Sequence, residues 1–414
     1  MDRYSMDKNL TSTSKLERSL NLPLLIFYGL GTTIGAGIYV LIGTAAGYAG
    51  MYAPLAFIAA AIGIIPTAAS YAELSGRLPV SSGESAYVNE GFRLRWMSML
   101  TGWMVIISGV VASAAIAIGS AGYISSFVEI PHWVIVTSVI IILGLIAIWG
   151  IKESVMLAAL FTIIEAGGLI VLIVAGFSSE HVDLSRIPEL FPPLWDVPIY
   201  LGIMNAGMIA VFAFIGFEDM VNVAEETKRP RASLPWAIFL TLGITAILYA
   251  LVATVAVLSI SPEDLALSKG PLSMVYHKLT GASPSVISAI AIFATTNTIL
   301  VQFIMVSRVI YGMASRQNLF SIFSRVNRKT KTPILATLAV ISLTLILALV
   351  FPIEKLAEVT SQVILLIWTL VNFALVRIKI RKEPANEGIF LTPAWVPVIG
   401  GIFCGTLLIF SILH

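Results

Sequence analysis

Charge is what this chain has least of. Only 12% of its 414 residues are Asp, Glu, Lys or Arg, about half the share of a soluble domain, while 58% are hydrophobic before 31 glycines are counted. So few charges could not cover the interior of a water-soluble globule of this size. That excludes an ordinary cytosolic enzyme and turns most of the surface toward lipid. Cysteine is scarce too: Cys404 stands alone, which excludes an internal disulfide. The four histidines, His132, His181, His277 and His414, are scattered, without the spacing that two ligands on one helical face would need. No metal and no cofactor is expected. No nucleophile–base motif stands out, so no enzyme is predicted. With 25 basic residues nearly cancelled by 23 acidic ones, there is no bulk charge to attract nucleic acid, and any asymmetry is positional.

What the chain does have is apolar length. Eleven segments, at roughly 22–48, 53–74, 98–127, 132–150, 154–177, 199–222, 234–260, 284–315, 333–351, 356–377 and 390–413, are each long enough to cross about 30 Å of hydrocarbon at 1.5 Å per residue. Prolines such as Pro131, Pro198, Pro262, Pro284 and Pro352 punctuate the breaks. The polar residues 1–20 form a tail, and the apolar run behind them is too long and glycine-rich for a cleaved signal, so it is expected to stay as the first segment. An all-α polytopic membrane protein with 11 transmembrane helices is predicted. With the N-terminus on the cytoplasmic side, 20 of the Lys and Arg residues fall on that side and 4 (Arg186, Lys269, Lys278, Lys355) on the other, with Arg308 left inside segment 8. Such an excess orients a membrane protein. It places the N-terminus inside and, after an odd number of crossings, the C-terminus outside, in the plasma membrane.

Two segments carry interruptions near their middles. Segment 1 contains Gly29-Leu30-Gly31-Thr32-Thr33-Ile34-Gly35-Ala36-Gly37, and segment 6 contains Phe212-Ala213-Phe214-Ile215-Gly216-Phe217-Glu218-Asp219. Glycine weakens a helix by about 1 kcal/mol relative to alanine, and adjacent acids inside an apolar run must face protein or water. Each interrupted segment opens a set of five, at 21–178 and 197–380, with 388–414 as an additional eleventh. Because five is odd, the second set is inverted relative to the first, giving a 5+5 inverted repeat with discontinuous helices 1 and 6. Paired breaks in inverted halves point to a transport site at mid-membrane. An unwound turn frees amides that suit a carboxylate and carbonyls that suit an ammonium, so a zwitterion fits. The plainer alternative is that Gly31 and Gly35 form a GxxxG packing face.

Three stretches resemble the amino acid–polyamine–organocation transporters: GTTIGAGIY at 31–39; Glu73-Leu74 through Arg77-Leu78-Pro79 to Gly83-Glu84-Ser85-Ala86-Tyr87; and FAFIGFEDMVNVAEETKRPRASLPWAI at 212–238. The similarity covers segments 1 to 10. It departs from many members in lacking a twelfth helix and in having Phe320 where relatives often have proline. The resemblance implies that the amides of Gly35, Ala36 and Gly37 hold a substrate carboxylate. It further implies that the carbonyls of Thr33, Phe212 and Ile215 hold its ammonium, and that Phe212 closes over it. Ile34, Ala213, Phe214 and Gly216 complete the candidate substrate-binding stretches.

The resemblance also singles out buried acids. Glu165, in the middle of segment 5, stands where some proton-coupled relatives carry lysine. Thr296 and Asn297 of segment 8 match the pair lining the same space, so Glu165 is expected beside them and beside Gly31. Either Glu165 exchanges the coupling proton, or it stays protonated and locks the helices; sodium is the less favoured ion. Glu218 matches a glutamate proposed as a proton-sensitive switch, and is taken with Glu165, Thr296 and Asn297 as the ion-coupling set. Glu225 and Glu226 are expected to pair with Lys228, Arg229 or loop bases, and Arg308 with an acid that supports an inner gate. The expected function is a secondary active transporter of an α-amino acid, neutral because segment 3 offers no acid. The alternatives are a cationic amino acid or polyamine carrier, and a nutrient receptor without transport.

Overall fold

The structure, a computed structural model, describes residues 16–413 apart from Ser126, His181, Asp183, Leu194 and Lys269, and it leaves the side chains of Ala36, Val40, Ile151, Glu354, Ala357, Glu358 and Leu413 undescribed. Most of the polar tail, together with His181 and His414, therefore lies outside the described residues. Among the described residues every extended element is a helix. In order, the helices are α1 (Leu22–Thr33), α2 (Gly35–Ala49), α3 (Ala53–Arg77), α4 (Gly83–Phe92), α5 (Arg95–Ile124), α6 (His132–Trp149), α7 (Ile151–Ser178) and α8 (Val197–Ala213). They continue with α9 (Pro230–Ser259), α10 (Pro262–Leu267), α11 (Pro271–Thr280), α12 (Ser285–Ser315), α13 (Ile334–Val350), α14 (Ile353–Ile380) and α15 (Trp395–Leu413).

Ten helical stretches among the described residues are long and apolar enough to cross a membrane, and α13 is a shorter apolar helix of 17 residues. Start signals in the sequence explain several ends. The Asn21 side chain accepts the Leu24 amide at 3.1 Å to open α1, and Asp196 accepts the Ile199 amide at 3.3 Å to open α8, each satisfying an amide without a helical partner. Large apolar side chains point outward along the spans, among them Ile142, Leu145, Val171, Val174 and Ile409, as expected of a protein solvated by lipid. Exposed tryptophans gather at helix ends, Trp96, Trp133, Trp149 and Trp395, where an amphipathic ring suits the membrane–water boundary.

The Glu73–Arg77 motif is an anchor. Buried Glu73, near the end of α3, accepts from Lys379 Nζ at 2.7 Å, Arg77 Nε at 3.0 Å, and the amide and hydroxyl of Thr392 at 2.7 and 2.8 Å. One carboxylate thereby ties α3 to α14 and to the segment ahead of α15. Beside it, Glu383 pairs with Arg93 at 2.7 Å and Arg381 at 2.6 Å. Partial burial works against ionisation of Glu383, but its bonds to Arg381 and the nearby positive charges hold its carboxyl below the usual range.

Candidate functional site

Both interrupted segments break where the sequence places the breaks, and the breaks touch. In segment 1 the regular helix stops at Thr33 and restarts at Gly35, with Ile34 as the joint; no side chain caps α2. In segment 6, α8 ends at Ala213. Phe214 and Ile215 then close tight turns onto Val211 and Phe212 at 3.0 and 3.2 Å, and the chain re-coils from Phe217 to Glu226 as a 3₁₀ stretch. Gly216 makes this possible. Its φ is +124°, and a β-carbon there would sit 2.8 Å from the backbone of Thr32, so only glycine fits on either count. The Thr32 hydroxyl lies 2.9 Å from the Gly216 carbonyl, joining the two breaks directly.

A tyrosine that the sequence did not single out joins them again. Tyr249 of α9, fully buried, places its hydroxyl 2.7 Å from the Thr33 carbonyl, 3.0 Å from that of Ala213 and 3.3 Å from that of Ile34. One hydroxyl proton serves three acceptors, so the carbonyl cluster keeps unused capacity. Phe214 turns away from the opening and packs on the Tyr249 ring at 5.2 Å.

Around the breaks lies a cavity of about 250 Å³. Thr33, Gly37, Phe212, Ala213 and Ile215 line it, as does Glu218; Ile34, Gly35, Phe214 and Gly216 do not. Gly35 instead lies tight against Thr298, with Ala36 behind it at the start of α2. The wall from α5 is small and uncharged, with Val105, Gly109, Ala112, Ala115 and Ile116 and one hydroxyl, Ser108, turned onto the Val105 carbonyl of its own helix at 3.0 Å. Glu84, Asp219 and Gln302 line it as well. Glu218 accepts the Gly216 amide at 2.9 Å and so caps the re-coiled stretch. Asp219 accepts from Gln302 at 2.7 Å. Glu84, from the helix that follows α3, is buried, and burial pushes its carboxyl up to about 8. Its only signal in the sequence was the Gly83-Glu84 motif, which gave no hint of where the side chain would go.

The second predicted cluster lies behind α1. Glu165 is fully buried and accepts from Asn297 Nδ2 at 3.1 Å, while the same Nδ2 lies 2.9 Å from the Thr162 hydroxyl. Gly31 stands against both: a β-carbon there would collide with Asn297 and reach within 2.5 Å of Thr162. Close approach is thus the use of Gly31. The structure brings Asn297 to Glu165 but not Thr296, whose hydroxyl bonds Ile292 on its own helix at 2.7 Å. A step of one residue turns a helix by about 100°, so the inward pair is Asn297 and Thr298, the latter lining the cavity.

Two acid–base expectations separate. Arg308 does find an acid: its guanidinium meets both oxygens of Glu226 at 3.1 Å, with both side chains wholly buried. Glu226 is therefore not a solvated partner of Lys228 or Arg229, because the tight turn after the 3₁₀ stretch carries it inward. Glu225 accepts the Ser81 amide at 3.1 Å. The main chain beside this pair is also tied down, with the Leu20 amide on the Glu226 carbonyl at 3.0 Å and the Lys228 amide on the Leu20 carbonyl at 2.7 Å.

Known proteins with similar sequences point the same way. The family model described as amino acid permease matches residues 20–413. The chain is 28% identical to the branched-chain amino acid permease BcaP of Bacillus subtilis, over 94% of this chain and 87% of that protein. It is 26% identical to cationic amino acid transporter 4 of Homo sapiens over 94% of this chain, and 30% identical to the vacuolar cationic amino acid transporter 2 of Arabidopsis thaliana over 90%. Of those two longer proteins the chain spans only 64% and 61%.

Proposed function

From the premise that this chain belongs to the amino acid permease family, a family of multi-pass membrane transporters, we propose that it is a secondary active carrier of an α-amino acid. The observation that carries this is the contact of the two breaks, Thr32 on Gly216 and Tyr249 across both, at the edge of a cavity sized for one small molecule. The substrate carboxylate binds at the positive end of α2, where Gly35, Ala36 and Gly37 carry the uncapped amides and Gly37 reaches the cavity. The ammonium binds the carbonyls of Thr33, Phe212 and Ile215, whose second lone pairs remain available.

The packing supports an inverted repeat of five helices. Segments in matching places of the two sets lie on one another: α2 on α8, α3 on α9, α5 on α12. Unmatched contacts come in mirrored pairs, since α1 packs on α9 as α3 does on α8, and α13 packs on α5 as α6 does on α12. Alternating access then moves α1–α3, α8 and α9 against α5, α6, α7 and α12. The protein lies in the plasma membrane with its N-terminus inside. In the present state the basic face is closed by Arg308–Glu226 and by the Leu20 strand contact.

Glu165 exchanges the coupling proton. It is buried among neutral partners, and its Oε2 has no partner among the described residues. Sodium held by the same carboxylate is the second reading. The aliphatic α5 wall accepts an uncharged side chain, the class named for BcaP. Reconstitution in liposomes tests all of this. Uptake of labelled amino acids under an imposed pH gradient, with no response to a sodium gradient, is the expected result. Binding without accumulation under either gradient would make the protein a receptor, and no binding of any amino acid would overturn the proposal.

A further inference from the structure

On the basic face, three apolar helices end around one recess. The α6 span runs to Trp149, the next span begins at Lys152, and α13 starts at Ile334. Gly150 alone separates α6 from α7. The loop from α12 to α13 is pinned to that turn, with the Thr332 hydroxyl 3.0 Å from the Ile148 carbonyl. Asn327 shapes the loop: its side chain accepts the amides of Lys329 and Thr330 at 2.8 and 3.1 Å, and its own amide meets the Thr332 carbonyl at 3.0 Å. Between turn and loop lies a cavity of about 460 Å³, lined by Lys152, Lys329 and Lys331, by Trp149, and by two acids, Glu17 and Glu153. The Glu153 carboxylate is folded back against Gly150, and exposed Arg328 stands next to Lys329 in the chain. The helices that leave this recess carry apolar stripes at helical spacing, Ile142, Leu145 and Trp149 on α6 and Met156, Leu160 and Ile163 on α7, all exposed.

We infer that this recess seats the headgroup phosphate of an anionic phospholipid, whose acyl chains lie along α6 and α7. Three lysines and Arg328 outnumber the two carboxylates, and a basic pocket between spans on the Lys- and Arg-rich side suits a lipid headgroup. Trp149, 68% exposed, marks the headgroup level, where an indole ring is at home. A soluble phosphate would use the lysines alone and leave the apolar stripes without a role; a phospholipid uses both. A zwitterionic headgroup brings its own ammonium and loses most of the attraction. The lipid bridges the α6–α7 turn and the α12–α13 loop, and so ties together helices on the side of the bundle opposed to α1–α3, α8 and α9. The recess shares no lining residue with the cavity at the two breaks, so it stands or falls apart from the proposed transport function.

Phosphatidylglycerol and phosphatidylcholine with identical chains are the probes, and native mass spectrometry of the purified full-length protein reads how much of each is retained. Phosphatidylglycerol should be held about tenfold more strongly, and Lys152→Gln and Lys329→Gln should each weaken it about fivefold. Phosphatidylcholine should be unaffected by either change. Lys382→Gln, on the same face but outside the recess, is the control and should change neither lipid. Equal retention of the two lipids, or an equal loss of phosphatidylglycerol in the control, would overturn the site and reduce the effect to diffuse surface charge. Inorganic phosphate and glycerol phosphate at the lipid's concentration should not displace it; displacement would make the occupant a soluble phosphate and overturn the lipid assignment. A second readout fixes the place. In detergent, phosphatidylglycerol with brominated chains should quench tryptophan emission, and Trp149→Phe should remove part of that quenching. Quenching that Trp149→Phe leaves unchanged would put the lipid elsewhere and sink the proposal.

Discussion

Glu226 and Glu165 are both wholly buried glutamates in an apolar bundle, yet the structure treats them in opposite ways. Glu226 receives a guanidinium on both oxygens. Glu165 receives only neutral donors, with the Asn297 amide at 3.1 Å, and its Oε2 has no partner among the described residues. A carboxylate given its own cation is fixed in charge and suited to holding helices together. A carboxyl given only neutral partners is free to change its proton, and its partners Asn297 and Thr162 pack directly against Gly31 in the stretch of α1 that borders the cavity. The same side chain thus supports a structural role in one place and a proposed coupling role in the other, and the partners rather than the residue make the difference.

The sharpest way to break the comparison is to take the cation from Glu226. Arg308→Met should cost about 3–5 kcal/mol, because it strands a buried charge, and should appear as a large drop in the unfolding temperature in detergent. Arg308→Met combined with Glu226→Leu should recover most of the loss. If the single variant unfolds like wild type, Glu226 is not held as a carboxylate by Arg308. Next in size is Asn297→Ala, which removes the amide donor that Glu165 receives at 3.1 Å and should cost about 1–3 kcal/mol in the same assay.

Glu84 offers a pH test. Its carboxyl is raised from the ordinary 4.5 to about 8 by burial, so between those values the folded protein holds a proton that the unfolded chain has released. Stability should therefore fall as pH rises from about 5 to 8, by at most about 1.4 kcal/mol per unit from this group. Glu84→Gln should flatten that part of the profile; an unchanged slope would mean that Glu84 is not the group responsible. The smallest effect on stability is expected from Glu165→Gln, within about 1 kcal/mol, since a neutral amide replaces a carboxyl already set among neutral groups. Its effect on transport should be the reverse: gradient-driven accumulation lost and substrate binding kept. Accumulation that persists in Glu165→Gln would remove the coupling role.

Much of the site was legible in local pattern. The glycines at 29–37 and the Gly216-Phe217-Glu218-Asp219 stretch announced the breaks, because glycine and paired acids are hard to keep inside an apolar helix. That Arg308 needed an acid followed from the cost of an unpaired base in such a segment. Which acid it took did not follow, since Glu225 and Glu226 are adjacent and only the turn after the 3₁₀ stretch decides which one points inward. Thr296 and Asn297 fail in the same way, as one residue of helical rotation sends one to Glu165 and the other back to its own backbone. Tyr249 and Glu84 gave no signal of their role at all. Their chemistry is ordinary until folding sets a hydroxyl against three carbonyls and a carboxyl in the wall of the cavity.

By itself, the sequence determined the solvent, the repeated apolar lengths and the two places where the helix would give way, because hydrophobicity and backbone flexibility are properties of short stretches. The tertiary structure decided who meets whom. Pairing a buried charge, filling a carbonyl cluster and lining a cavity each require groups far apart in the chain to arrive within about 3 Å of one another, and that depends on helix rotation and packing rather than on any one segment.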